Sequence, residues 1–267
     1  MPLFIRNNPL IEGVFLSRPN RFIAIVRIGG KEVKAHVADP GRLKELLVSG
    51  RNVYLLPARD TDFVKPGLGN GQSKMQGGYK RKTRYTLVLV DYEGILVSID
   101  SRVPNELVYD GLKKKFFSRF HEYNHIKREA GFGNSRLDFQ LSKSAFVPAN
   151  SGSGGKGKAV NIPDCLVEVK SVSLVHNNKA LFPDAPTVRG ARHMKELKNA
   201  VSSGFRADVI FIIQRGDAES FAPNFAMDPD FSGALREASE NGVNISAYTC
   251  QVTEKLISIR QEVPIIL

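Results

Sequence analysis

The stretch Pro163-Asp164-Cys165-Leu166-Val167-Glu168-Val169-Lys170 sets two ionisable side chains inside an otherwise apolar run. On a strand, alternation sends Glu168 and Lys170 to one face and Val167 and Val169 to the other. Upstream, Asn134-Ser135-Arg136-Leu137-Asp138-Phe139 is a second strand-like segment carrying one carboxylate. If the two strands pair antiparallel, Asp138 and Glu168 stand together and can hold a hard cation such as Mg²⁺, which prefers oxygen ligands. Such an ion polarises a phosphoryl oxygen and lowers the pKa of water, while Lys170 orients the nucleophile or steadies developing negative charge. The plainer reading is an exposed Glu168–Lys170 ion pair with Asp138 capping a strand end. The surroundings favour the metal, because an apolar helical stripe precedes these strands and a helix with cationic residues follows them.

Working outward, Leu107, Val108, Leu112, Phe116, Phe117 and Phe120 recur at helical spacing and predict one helix over residues 104–120, with Lys113, Lys114 and Lys115 opposite. Strands are expected at 126–129, 137–141 and 165–169, a helix at 188–201, a buried strand at 207–214, a helix at 231–240 and a strand at 243–252. This order describes an α/β (α+β) sandwich around a mixed sheet. Arg189 and His193 lie four apart on the helix that starts near Val188, off its apolar face, and can meet a phosphate. Asp184 is a candidate cap for that helix and Glu106 a candidate third carboxylate. Residues 143–163, rich in Gly, Ser and Lys, read as a flexible hairpin tip.

The first third of the chain has a different character. Of the formal charge of +11 on 267 residues, nearly all arises in residues 1–85, which hold 16 Lys and Arg against 6 Asp and Glu. Such asymmetry points to a polyanionic partner, since cations on phosphates release counterions. Short apolar runs at 11–17, 22–28, 32–37, 53–56, 85–90 and 94–99 alternate with turns, and Gly29-Gly30 joins two of them as a hairpin. A short helix is expected at 42–48 from the spacing of Leu43, Leu46 and Leu47. Strands broken by one helix follow the order of a five-stranded OB barrel. Residues 58–79 read as a mobile loop running into Lys80-Arg81-Lys82-Thr83-Arg84-Tyr85, a phosphate track ending in an aromatic platform. No apolar run approaches the roughly 18 residues of a membrane span, and Met1–Leu10 lacks a secretory pattern, so a cytoplasmic protein without membrane contact is expected. Cys165 and Cys250 read as two buried thiols, bonded only if their strands are neighbours.

Several motifs together resemble one family. Asp39-Pro40-Gly41-Arg42-Leu43, Arg81-Lys82-Thr83-Arg84-Tyr85, Pro104-Asn105, Gly133-Asn134-Ser135-Arg136-Leu137-Asp138-Phe139, Val167-Glu168-Val169-Lys170-Ser171-Val172, Leu181-Phe182-Pro183-Asp184-Ala185 and Arg189-Gly190 are similar to the sugar fermentation stimulation protein A (SfsA) family, across almost the whole chain. Departures are the long loops 58–79 and 143–163, and Asp39-Pro40 where bacterial members often carry Asn-Thr. The resemblance implies DNA binding, a link to regulation of sugar (maltose) metabolism, and a second domain similar to the PD-(D/E)XK nucleases, whose pattern Asp138, Glu168 and Lys170 match. It leads us to expect an OB-like domain at 1–85 and a nuclease-like domain at 86–267. Mg²⁺ or Mn²⁺ would be held by Asp138 and Glu168, with DNA along Arg21, Arg42, Lys80, Arg81, Lys82, Arg84, Arg189 and His193. A catalytically silent DNA-binding regulator and an RNA or single-strand binder are the alternatives, and the oligomeric state is left open, a homodimer included. Neutralising Lys80, Arg81 and Lys82 together is expected to weaken binding to all DNA sequences alike. It should also flatten the log–log salt dependence by about 0.9 for each phosphate that is no longer neutralised, read by titrating labelled duplex at several salt concentrations. An unchanged slope would move the binding face elsewhere.

Overall fold

A computed structural model of the chain describes residues 1–58, 83–144 and 162–267. They form two units, one of residues 6–101 and one of residues 1–5 with 102–267. The boundary expected at residue 85 is therefore corrected. Residues 85–98 stay with the first unit because they pair with its strands, whereas β1 (Leu3–Ile5) pairs with the last strand of the second.

The first unit contains β2 (Ile11–Asn20), β3 (Ile23–Ile28), β4 (Lys31–Val37), β5 (Asn52–Pro57), β6 (Tyr85–Tyr92) and β7 (Ile95–Ser98). They pair in the order β4-β3-β2-β5-β6-β7, and a further parallel pairing of β4 with β6 closes five of them into a barrel. Alternation fills its interior with Phe15, Val26, Ala35, Val53, Leu55 and Leu87. Gly29 and Gly30, at φ 53° and 80°, make the two-residue turn between β3 and β4, a left-handed geometry that side chains resist.

The helix expected at 42–48 is not present. Leu43 adopts φ 50°, and the N–H groups of Leu46 and Leu47 both donate to its carbonyl, making a single turn that goes no further. The apolar spacing is real but serves burial, since Leu43 and Leu46 sit within the barrel core.

In the second unit α1 (Val103–Lys113) is followed by β8 (His125–Phe132), β9 (Ser135–Ser142), β10 (Cys165–Val172), β11 (Val175–His176) and β12 (Lys179–Phe182). Then come α2 (Val188–Ser202), β13 (Arg206–Ile213), β14 (Ser220–Pro223), α3 (Pro229–Glu240), β15 (Asn244–Val252) and β16 (Leu256–Val263). A seven-stranded mixed sheet runs β1-β16-β15-β13-β10-β9-β8, with β11, β12 and β14 in a small separate sheet. Met194, Leu197, Phe231 and Leu235 of α2 and α3 pack with Leu166, Val209 and Phe211 of the sheet. Leu107, Val108 and Leu112 of α1 pack with Phe139, Val167 and Ile210 in a second cluster. The helix expected over 104–120 stops at Lys113 and resumes only as a 3-10 turn, Ser118–Phe120. Lys115 at φ 53° breaks it, which lets Phe117 turn edge-on to Tyr248, 5.4 Å between ring centres. The two cysteines are buried and free, since β13 lies between their strands. The run 80–82 and most of the two long loops lie outside the described residues, among which no helix is long and apolar enough to cross a membrane.

Gly13 on β2 tests the barrel packing. A Cβ there would stand 2.7 Å from Val26 Cγ1 and 2.9 Å from the Arg27 carbonyl oxygen, and a backbone atom cannot rotate away. Gly13→Ala is expected to cost about 1–3 kcal/mol in urea unfolding, and an unchanged midpoint would contradict this geometry.

Candidate functional site

β9 and β10 pair antiparallel from Cys165↔Leu141 to Val167↔Phe139, where the ladder ends. Just beyond, the Val169 N–H donates to Asp138 Oδ2 at 2.8 Å, so a side chain takes over as the ladder stops. Asn105 Nδ2, on the first turn of α1, donates to Asp138 Oδ1 at 2.7 Å. The Asp138 carboxylate is thus fixed from two elements, against the backbone next to Glu168.

Glu168 is 4% exposed. Its Oε1 accepts from Lys170 Nζ at 2.5 Å and bonds His193 Nδ1 at 2.5 Å. Its Oε2 is buried with no hydrogen-bond partner among the described residues. Burial pushes the Glu168 carboxyl up, but the Lys170 ammonium and the His193 hydrogen bond outweigh it, and the group lies below its ordinary value. Asp138 goes the other way. Burial first, and the Glu168 charge second, push it up to about 6 against the Val169 hydrogen bond, the Lys170 charge and the Asn105 hydrogen bond. Two crowded carboxylates of this kind favour a nearby cation. A hard divalent ion suits the donor set: it takes carboxylate oxygens, it would occupy the unclaimed Glu168 Oε2, and it fills its remaining positions with water. Among the described residues no group of three or more His, Cys, Asp or Glu gathers as a metal cage. Glu106 in particular does not supply a third carboxylate, because it pairs with Arg128.

The side chains of Asp138, Glu168 and Lys170 stand close together, Asp138 on the backbone beside Glu168 and Lys170 on Glu168 itself. His193 is a correction: it is 1% exposed and faces Glu168 rather than solvent, so it offers no side chain to DNA. Arg189 is exposed and donates from Nε to His193 Nε2 at 3.3 Å. Asp184 does not cap α2; Thr187 does, accepting from the Gly190 N–H at 3.0 Å. Sequence reasoning gives Asn105 no role, although it stands in the Pro104-Asn105 motif.

In the barrel, Arg21, Arg42 and Arg84 are all exposed. Arg18, which sequence reasoning passes over, organises the first two. Its guanidinium donates to the carbonyls of Gly41 and Arg42 at 2.7 Å, Arg21 at 2.6 Å and Asp39 at 3.0 Å. Asp39 Oδ1 accepts from the Gly41 N–H at 2.7 Å and tightens the same loop. The backbones bearing Arg21 and Arg42 therefore hang on one side chain, with Phe22 exposed beside them. Lys80, Arg81 and Lys82 lie outside the described residues.

Two family profiles match the chain: "Sugar fermentation stimulation protein RE domain" over residues 102–256 and "SfsA N-terminal OB domain" over residues 16–99. Proteins described as "Sugar fermentation stimulation protein homolog" are similar over nearly their full length. The one from Desulforamulus reducens is 41% identical over 96% of this chain and 92% of its own. The one from Moorella thermoacetica is 44% identical over 94% of each. Among solved structures, "The structure of Pyrococcus Furiosus SfsA in complex with Ca2+" superposes with TM-score 0.79 and 31% identity over 100% of both chains.

The raised Asp138 value has a consequence for stability. A carboxyl that holds its proton more tightly when folded contributes stability below about pH 4, which is lost as pH rises through about 6. In EDTA, Asp138→Asn should abolish this slope. Its stability relative to the unsubstituted chain should rise between pH 4 and 7 by at most on the order of 3 kcal/mol. Urea unfolding across that range measures it, and parallel pH profiles would contradict the burial of an ionised Asp138.

Proposed function

Since this chain belongs to the sugar fermentation stimulation protein (SfsA) family, we propose that it is a cytoplasmic DNA-binding protein that hydrolyses phosphodiester bonds with a divalent ion on Asp138 and Glu168. The observation that carries this reading is the buried, unpartnered Glu168 Oε2 beside a carboxylate pushed up to about 6, with an ammonium 2.5 Å from the other Glu168 oxygen. The Ca²⁺ in the Pyrococcus furiosus SfsA structure supports a divalent ion for the family, and Mg²⁺ or Mn²⁺ would suit the same oxygen donors.

When bound, the ion supplies positive charge that polarises a phosphoryl oxygen and makes water a better nucleophile. The rest falls to the chain itself. Asn105 and the Val169 N–H hold the Asp138 carboxylate in place. Lys170 gives one N–H to Glu168 and has two more for a scissile phosphate or an attacking water. Arg189, exposed on α2, adds a donor for a neighbouring phosphate. Arg21, Arg42 and Arg84 on the barrel bind backbone charge without reading bases. The link of the family to sugar metabolism would then act through the DNA it binds.

A silent site on a DNA-binding regulator is the second reading. It is favoured by the Lys170–Glu168 ion pair, which directs part of the ammonium's charge to the protein itself. Supercoiled and single-stranded DNA incubated with Mg²⁺ or Mn²⁺ separate the two. Cleavage is expected from the unsubstituted chain and should fall at least about 100-fold in Asp138→Asn and Lys170→Ala, with DNA affinity retained. Equal activity in all three preparations would mark a contaminant, and absence of cleavage with tight binding would leave the regulator.

A further inference from the structure

Within the metal-site reading, His193 has no assigned part, yet its geometry is unusually well defined. Nδ1 lies 2.5 Å from Glu168 Oε1, and Nε2 lies 3.3 Å from Arg189 Nε. An arginine Nε–H can only donate, so His193 Nε2 is an acceptor and bears no hydrogen. The ring is then the neutral tautomer with its hydrogen on Nδ1, and the short contact to Glu168 is a donated bond. With Lys170 on the same oxygen, both donors that reach the carboxylate converge on Oε1 and neither reaches Oε2. The ring is buried on α2, whose Met194 and Leu197 pack into the core against the sheet. It can therefore set the rotation of the carboxylate as well as bond to it.

We propose that His193, its tautomer fixed by Arg189, is a positioning residue that commits Glu168 Oε1 to the protein and reserves Oε2 for a divalent ion. The inference rests on the metal-site reading above and adds to it a residue that touches neither ion nor substrate. A buried carboxylate with one donor fewer is free to turn and to share both oxygens with Lys170, and the ion then competes with an internal ion pair. Hydrogen-bond partners of metal ligands act in this way, and their loss typically costs roughly 10–100-fold in affinity.

Isothermal titration of the full chain with Mn²⁺ alone tests the proposal, with unfolding in EDTA as the control for structure. An Asn amide nitrogen overlays the Nδ1 position of histidine, whereas a Gln amide overlays Nε2. His193→Asn should therefore keep the Mn²⁺ affinity within about 3-fold, and His193→Gln should lose roughly 10-fold or more. Affinity that is unchanged in His193→Gln, or that falls equally in both variants in step with their unfolding midpoints, would make His193 a packing residue and overturn the proposal. If the unsubstituted chain takes up no Mn²⁺, or takes it up equally well as Glu168→Gln, the metal-site reading itself fails, which is a separate result from loss of the His193 effect.

Discussion

The Glu168 carboxylate lies inside a β-sheet, 4% exposed, and desolvating such a charge costs several kcal/mol unless partners replace the water. Lys170 and His193 provide that replacement on one oxygen, and nothing among the described residues provides it on the other. The crowding with Asp138 follows from strand pairing. Antiparallel β9 and β10 part just where Asp138 comes level with the backbone beside Glu168, so repulsion between the two carboxylates is built into the register. Burial pushes both carboxyls up, and the proton preference settles on Asp138 because the donors to Glu168 include an ammonium, while the two to Asp138 are neutral amides.

The strands of this site are readable in the sequence because alternation needs only local information. Glu168 and Lys170 two apart share a face whatever the tertiary structure, and a low-complexity connection between two apolar runs suits antiparallel neighbours. His193 is not readable in the same way. By sequence, Val188, Ala191, Met194, Leu197 and Val201 mark the apolar stripe of α2, yet Val188 is 87% exposed. The buried face runs instead through Gly190, Ala191, His193, Met194, Leu197 and Ala200. A glycine and a histidine carry no hydrophobic signal, so periodicity centres the face wrongly and leaves His193 outside it.

Other misses have different causes. Asn177-Asn178, both at positive φ, turns β11 into β12, and that dipeptide is a hairpin signal open to local reading. β1 cannot be found locally, because its three residues become a strand only by pairing with β16 at the far end of the chain. The helices expected at 42–48 and across 114–117 fail through the same competition. Leucines and phenylalanines at helical spacing are placed by what they bury against, and Leu43 and Lys115 take up left-handed backbone to allow it.

Arg18 shows how a charged residue on an OB barrel can be structural. Its guanidinium spends four hydrogen bonds on backbone carbonyls, so few of its donors remain for a phosphate. What it provides is order in the loop that carries Arg42 and in the turn that carries Arg21. Two cations attached to a fixed backbone lose less conformational entropy on meeting a polyanion than two on a mobile loop. The net charge of the first third therefore overstates the number of cations available for phosphate. What it does not record is that Arg21 and Arg42 stand on backbone that Arg18 holds in place.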